Sequence, residues 1–171
     1  VAYPGATATI GNPVLTNVGG DTLEFGVRAS TNCSDWVLAG LRLRGATSAI
    51  ETAGCDGWRV VANDISCPPG DGPTGCAAFA MGEHIDLIGN EVHDTSTALS
   101  APPSKQYHAV YFTTETNFID ASYNHIHDNW TCHAIQFHSS PNGVRPGVNQ
   151  HDLLVHDNFI HGDTCSGINF A

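Results

Sequence analysis

The chain of 171 residues carries 17 acidic against 6 basic side chains, a formal net charge of −11 at pH 7. A basic complement of only Arg28, Arg42, Arg44, Arg59, Lys105 and Arg145 offers no phosphate-binding footprint, so nucleic acid is not an expected partner, and polyanionic glycans are repelled unless a cation bridges the two surfaces. The length predicts one domain over 1–171 with an elongated core. With no charged-then-apolar leader and no long apolar run, the expectation is a soluble chain without a membrane span, shown without its signal peptide.

Taken in order, residues 1–32 hold the short alternating runs Thr7-Ala8-Thr9-Ile10, Pro13-Val14-Leu15 and Leu23-Glu24-Phe25, broken by Gly and Pro. From Trp36 onward a pattern recurs. Leu41, Asn63, Asn90, Asn124 and Asn158 stand in equivalent places, 22, 27, 34 and 34 residues apart. The clearest copies are Asn90-Glu91-Val92-His93-Asp94, Asn124-His125-Ile126-His127-Asp128 and Asn158-Phe159-Ile160-His161-Gly162. Five residues before the reference position comes Trp36, Trp58, Ile85, Ile119 or Leu153. Three before it comes Leu38, Val60, Leu87, Ala121 or Val155, and two after it Leu43, Ile65, Val92, Ile126 or Ile160.

A second alternating run follows each copy: Ala49-Ile50-Glu51, Ala78-Phe79-Ala80-Met81, Ala109-Val110-Tyr111-Phe112, Ala134-Ile135-Gln136-Phe137 and Gly167-Ile168-Asn169-Phe170. Period-two alternation rich in β-branched and aromatic residues reads as strand. Strands repeated at this period stack turn on turn, which predicts an all-β parallel solenoid of about five to six rungs. Residues 1–32 make an incomplete first rung or two. No obvious end cap is visible, and the chain stops at Phe170-Ala171 in mid-rung, so the expectation is either a piece of a longer solenoid or open ends that meet other copies.

The Asn-x-Ile-His-Asp turn followed by a Gly/Ala-Ile-x-Phe strand resembles the right-handed parallel β-helix repeat of the pectate-lyase-like superfamily. Val1-Ala2-Tyr3-Pro4-Gly5 and Trp36-Val37-Leu38-Ala39-Gly40-Leu41-Arg42-Leu43-Arg44-Gly45 resemble the early rungs of such proteins. The resemblance implies a secreted protein that cuts or holds polysaccharide. It does not fix the reaction, because function lives in sites grafted onto folds.

Six cysteines in so short a chain predict an oxidising compartment. Cys33 and Cys55 lie three residues before Trp36 and Trp58, and Cys132 and Cys165 three before Ile135 and Ile168. Each pair therefore falls on adjacent rungs, about 4.8 Å apart, within reach of a disulfide. Cys67 and Cys76 would close the Pro/Gly-rich loop between them. Metal binding is the rival reading, and no Cys-x-x-Cys pair supports it. Loops 67–76 and 95–106 leave the same corner of the repeat, and loop 139–150 leaves another; in solenoids such insertions line binding faces.

The aligned columns give the candidate sites. Asn63, Asn90, Asn124 and Asn158 sit at a bend, where stacked amides can satisfy one another and the backbone. His93, His127 and His161 form the next outward column, with Asp94 and Asp128 beside the first two. They could hold a metal, supply a general base, or serve only the turn. Asp86 and Asp120 lie outward on neighbouring rungs beside Arg59, where they could share Ca²⁺ or pair with the arginine. In the resembled lyases clustered Asp residues hold Ca²⁺ and a Lys or Arg removes the proton next to the uronate carboxylate. This sequence offers one Lys, Lys105, in the loop leading into Gln106-Tyr107-His108; its reach to Asp86 is not given by sequence, and without a full Asp cluster the chain departs from the lyase pattern, so that mechanism does not carry over.

The second strand offers the outward column Glu51, Ala80, Tyr111, Gln136 and Asn169, flanked by His108 and His133. Aromatic and amide side chains along a flat β-face suit sugar rings. Lys105, His108 and His133 are thus the candidate catalytic residues, and Tyr111, Gln136 and Asn169 the candidate substrate contacts. Asn129-Trp130-Thr131 and Asn32-Cys33-Ser34 match the N-glycosylation pattern. No phosphate-cradling Gly-x-x-x-x-Gly-Lys, Gly-x-Ser-x-Gly elbow or His-Glu-x-x-His is present. The expected protein binds or acts on a polysaccharide or other glycan, in the manner of a lyase. The alternative is a structural extracellular solenoid whose ends stack into a filament.

Overall fold

The computed structural model describes residues 1, 5–11, 25–69, 75–98, 106–139, 149–162 and 165–171. Its strands, in chain order, are β1 (Ala8–Ile10), β2 (Phe25–Ser30), β3 (Val37–Ala39), β4 (Leu41–Arg44), β5 (Ser48–Ala53) and β6 (Arg59–Val61). They continue with β7 (Asp64–Ser66), β8 (Gly75–Ala80), β9 (Glu83–Ile88), β10 (Glu91–His93), β11 (His108–Thr113) and β12 (Asn117–Ser122). The last are β13 (His125–His127), β14 (His133–His138), β15 (Leu153–His156), β16 (Phe159–His161) and β17 (Ser166–Phe170). Among the described residues there is no helix, and none long and apolar enough to cross a membrane.

The strands fall into three sheets that the chain visits in rotation. One contains β1-β4-β7-β10-β13-β16, the second β2-β5-β8-β11-β14-β17 and the third β3-β6-β9-β12-β15. Every strand pairing is parallel. The molecule is therefore all-β, with three stacked parallel sheets of five or six strands. That topology is compatible with a parallel β-helix.

The core runs through the middle of the three sheets. Leu43, Ile65, Val92 and Ile126 are fully buried on the first, Val60, Leu87 and Ala121 on the third, and Ile50, Val110 and Ile135 on the second. Aromatic rings line up along the axis. Phe79 stacks on Phe112 at 5.3 Å, Phe112 on Phe137 at 5.2 Å, and Phe137 on Phe170 at 4.9 Å. Offset stacking of this kind adds to the burial of each ring. Trp36, expected to point inward, is 57% exposed. It precedes β3, the edge of its sheet, and stacks on Trp58 at 6.2 Å.

Each bend before the Asn position uses a left-handed residue: Gly40, Ala62, Gly89, Tyr123 and Asp157 all have φ between 52° and 66°. The following Asn then closes the turn. Asn63 Oδ1 accepts from Leu41 N–H, Asn90 Oδ1 from Asn63 N–H, Asn124 Oδ1 from Asn90 N–H and Asn158 Oδ1 from Asn124 N–H. Each Nδ2 donates to a carbonyl one rung back, at Leu38, Val60, Leu87 and Ala121. Asn63, Asn90 and Asn124 each also donate through Nδ2 to the next Asn Oδ1. Buried backbone groups that the bend takes out of the strand ladders thus regain partners.

Three disulfides, Cys33–Cys55, Cys67–Cys76 and Cys132–Cys165, fix the turns, with Cα separations of 5.1, 5.6 and 4.6 Å. No cysteine is free. Such bonds suit an oxidising environment.

Candidate functional site

The outer face of the second sheet carries a hollow of about 580 Å³ between β11, β14 and β17. Its walls come from strands stacked in register: His108 pairs with His133, which in turn pairs with Ser166, and Tyr111 with Gln136, which in turn pairs with Asn169. His108 and Tyr111 are three residues apart, which strict alternation would place on opposite faces. The ladder passes from His108↔His133 to Val110↔Ile135 with Ala109 and Ala134 buried between them, so both side chains reach the hollow.

Along this column one expected member is replaced. Ala80 pairs with Thr113, whereas Ala78 stands opposite Tyr111 and Glu51. The slip is two residues, which leaves each side chain on its proper face. Matching Phe79 to Phe112 buries both rings and decides the register.

The hollow combines flat rings with amide dipoles. His108 lies on His133, with ring centroids 5.4 Å apart, and tilts against Tyr111 at 4.8 Å. The Tyr111 hydroxyl is 2.9 Å from Nδ1 of His138, and Nδ1 of His133 is 2.6 Å from the Ser166 hydroxyl. Asn169 Nδ2 donates to Gln136 Oε1 at 2.7 Å, while Gln136 Nε2 donates to the Phe137 carbonyl. Gln106 and His138 complete the rim. No Asp, Glu, Lys or Arg side chain lines the hollow among the described residues.

His108 is 5% exposed and, among the described residues, its Nδ1 has no hydrogen-bond partner. Burial, helped by the nearby His133 and His138, lowers its pKa to about 4. The ring is therefore neutral at physiological pH and can accept or donate one hydrogen bond. Lys105 lies outside the described residues, as do 99–104 of the loop before it and the loop stretch 140–148.

The other columns lie elsewhere. Asp86 and Asp120 are paired in register on the third sheet. Asp86 is ion-paired with Arg59 Nε at 3.0 Å, and Asp120 Oδ1, buried and without a hydrogen bond among the described residues, stands 3.7 Å from His156 Nε2. One of the two carboxylates, Asp86, is thus already engaged by a guanidinium.

His93, His127 and His161 stack on the first sheet at 5.5 and 5.4 Å. His93 Nε2 lies 2.9 Å from Asp64, which also holds Arg44 at 2.6 Å and Arg42 at 3.3 Å. Burial would raise the Asp64 pKa, but the hydrogen bonds from His93 and Arg44 outweigh it and hold the carboxyl below its ordinary value. The Asn129 glycosylation match fails on burial: the side chain is 1% exposed, accepts from Thr95 N–H and donates to the Val92 carbonyl.

Sequence reasoning missed His138, whose alternation with Gln136 was there to find it. It also missed His125, discussed below, because no other rung has histidine at that position. Comparison of the chain with protein families, with curated proteins and with solved structures finds no match.

Proposed function

We propose that the protein is a secreted right-handed β-helix of the pectate-lyase-like kind that holds a carbohydrate chain in the hollow on its second sheet. The observation that carries this reading is the convergence of Tyr111, His108 and His133 with the amides of Gln136 and Asn169 in one hollow. Rings offer apolar faces to the C–H surfaces of a sugar, and amides offer both donors and acceptors to its hydroxyls. With no cationic residue among its described walls and a net charge of −11, the site favours a neutral glycan segment over a polyuronate. His108, His133 and Lys105 are the residues that would move a proton if the bound chain is also cut; neutral His108 is the acceptor on this reading.

Calorimetric titration with neutral oligosaccharides and with oligouronates, each with and without Ca²⁺, tests it. Binding that weakens in Tyr111→Ala and Gln136→Ala supports the groove. Appearance of the ultraviolet absorbance of an unsaturated uronide, lost in Lys105→Ala, would extend it to elimination. Failure of every glycan to bind would overturn it.

A second reading, end-to-end self-association, is favoured by one edge. Ile168 and Phe170 on β17, in register with the buried Ile135 and Phe137, are 40 and 63% exposed. A further turn of β-structure, from this chain or another copy, would cover them. Light scattering at several concentrations, with negative-stain microscopy, separates the two: a rod many chains long supports stacking, and a constant single-chain mass removes it.

A further inference from the structure

On the outer face of the first sheet, away from the hollow, His125, His127 and His161 present ring nitrogens that all lie within 4.8 Å of one another. The fold makes this cluster. His125 and His127 alternate outward on β13, while His161 pairs with His127 on β16. The Nε2 atoms of His125 and His161 are 3.0 Å apart. Both cannot carry a proton at that distance, so at least one lone pair faces into the cluster.

His127 is oriented from behind. Its Nδ1 lies 2.9 Å from Asp128 Oδ2, which leaves Nε2 to face Glu91 Oε1 at 3.2 Å. A carboxylate on the far nitrogen of a histidine is the arrangement that fixes the tautomer of a metal ligand. Gly162 makes room for it: a Cβ there would come within 2.9 Å of the Asp128 N and Oδ1. The Asp that follows His93 and His127 is thus replaced by glycine after His161, where a third side chain would crowd the second carboxylate.

We propose that His125, His127 and His161, with Glu91 as the fourth ligand and Asp128 behind His127, bind a zinc-type divalent ion. Imidazole nitrogen with one carboxylate oxygen suits Zn²⁺, Ni²⁺ or Cu²⁺ rather than Ca²⁺. Tetrahedral ligation at roughly 2.0–2.1 Å from the metal spaces nitrogens about 3.4 Å apart, so the three rings need only small side-chain rotations. The ligands come from β10, β13 and β16, three successive turns of the sheet. The ion would therefore clamp those turns together from outside.

Zn²⁺ titration by calorimetry and Co²⁺ absorption spectroscopy on the disulfide-bonded protein test this directly. No free thiol is present to bind the probe instead. The expected result is one tight site per chain and an intense visible Co²⁺ band of four-coordinate geometry. His125→Phe and His161→Phe keep a ring for the stacks on Phe159 and His127 but remove the nitrogen, and each should weaken binding at least tenfold. Asp128→Asn should weaken it by about tenfold to a hundredfold, while His151→Phe, on another sheet's approach, should leave it unchanged. Absence of stoichiometric binding, or binding that survives both His125→Phe and His161→Phe, would overturn the assignment.

Discussion

His108 lies nearly parallel to His133, their planes 11° apart and their centroids at 5.4 Å. Two protonated imidazoles in that position would repel, and the buried one would also lose its hydration. The fold thus holds His108 neutral, with a pKa of about 4 against 6.5 for a free side chain.

The consequence for stability has a definite sign. A depressed histidine pKa means that the unfolded chain binds the extra proton between about pH 6.5 and 4. Stability from this group is complete above the upper value and falls as pH drops through the window, by about 3 kcal/mol in all. Chemical denaturation at stepped pH should show that loss, and His108→Phe should flatten it. Asp64 adds a second loss at still lower pH, as its depressed carboxyl becomes protonated.

Removing one amide from the Asn ladder should be far more damaging in the middle than at the edge. Asn124→Ala strips partners from the buried Asn90 N–H and the Leu87 carbonyl. Each orphaned buried group costs about 1–3 kcal/mol, so a loss of about 2–5 kcal/mol is expected. Asn158→Ala, whose bonds are only partly buried, should cost less than half as much in the same urea titration.

The left-handed bends predict a stabilising change. Ala62 has φ 52° where Gly40 and Gly89 occupy the equivalent places. An L-residue in that region costs roughly 1–2 kcal/mol, offset by about 0.5–1 kcal/mol of extra chain entropy that glycine gives the unfolded state. Ala62→Gly should raise stability by about 0.5–1 kcal/mol, read as a higher denaturation midpoint with an unchanged slope.

The disulfides should differ in value by the loops they close. Cys132–Cys165 spans 33 residues and Cys67–Cys76 only 9. Loop-closure entropy gives about 3.7 kcal/mol for the first and about 2.5 kcal/mol for the second. Paired Cys→Ser variants, compared in thermal melts, should rank in that order.

In the hollow, Tyr111→Phe removes the hydroxyl but keeps the ring, whereas Tyr111→Ala removes both. If a sugar stacks there, the first should weaken glycan binding about threefold and the second tenfold or more. Equal effects would show that the ring contributes nothing.

The Asn register was legible because a bend that needs the same amide on every turn writes the same letter at each step. The inward columns followed from it, and so did the cysteine pairing. The second strand was less legible: alternation repeats every two residues, so Ala78 and Ala80 are equally good partners for Tyr111 until the phenylalanines are packed. Asp86 and Asp120 do stand in register, and of the two readings the sequence left open for Asp86, a shared cation or the arginine, the structure shows the pair with Arg59. The His125 cluster was hidden for another reason. It joins two columns of the repeat, and a column-by-column reading considers each alone.

Asn90, Asn124 and Asn158 are separated by equal steps of 34 residues, and each touches only its immediate neighbours in the ladder. The turns are in this sense interchangeable parts. A gene segment encoding one 34-residue step could be duplicated in place, and the added turn would meet matching surfaces above and below. Length in such a molecule is a quantity that recombination can adjust one unit at a time, without redesigning what lies on either side.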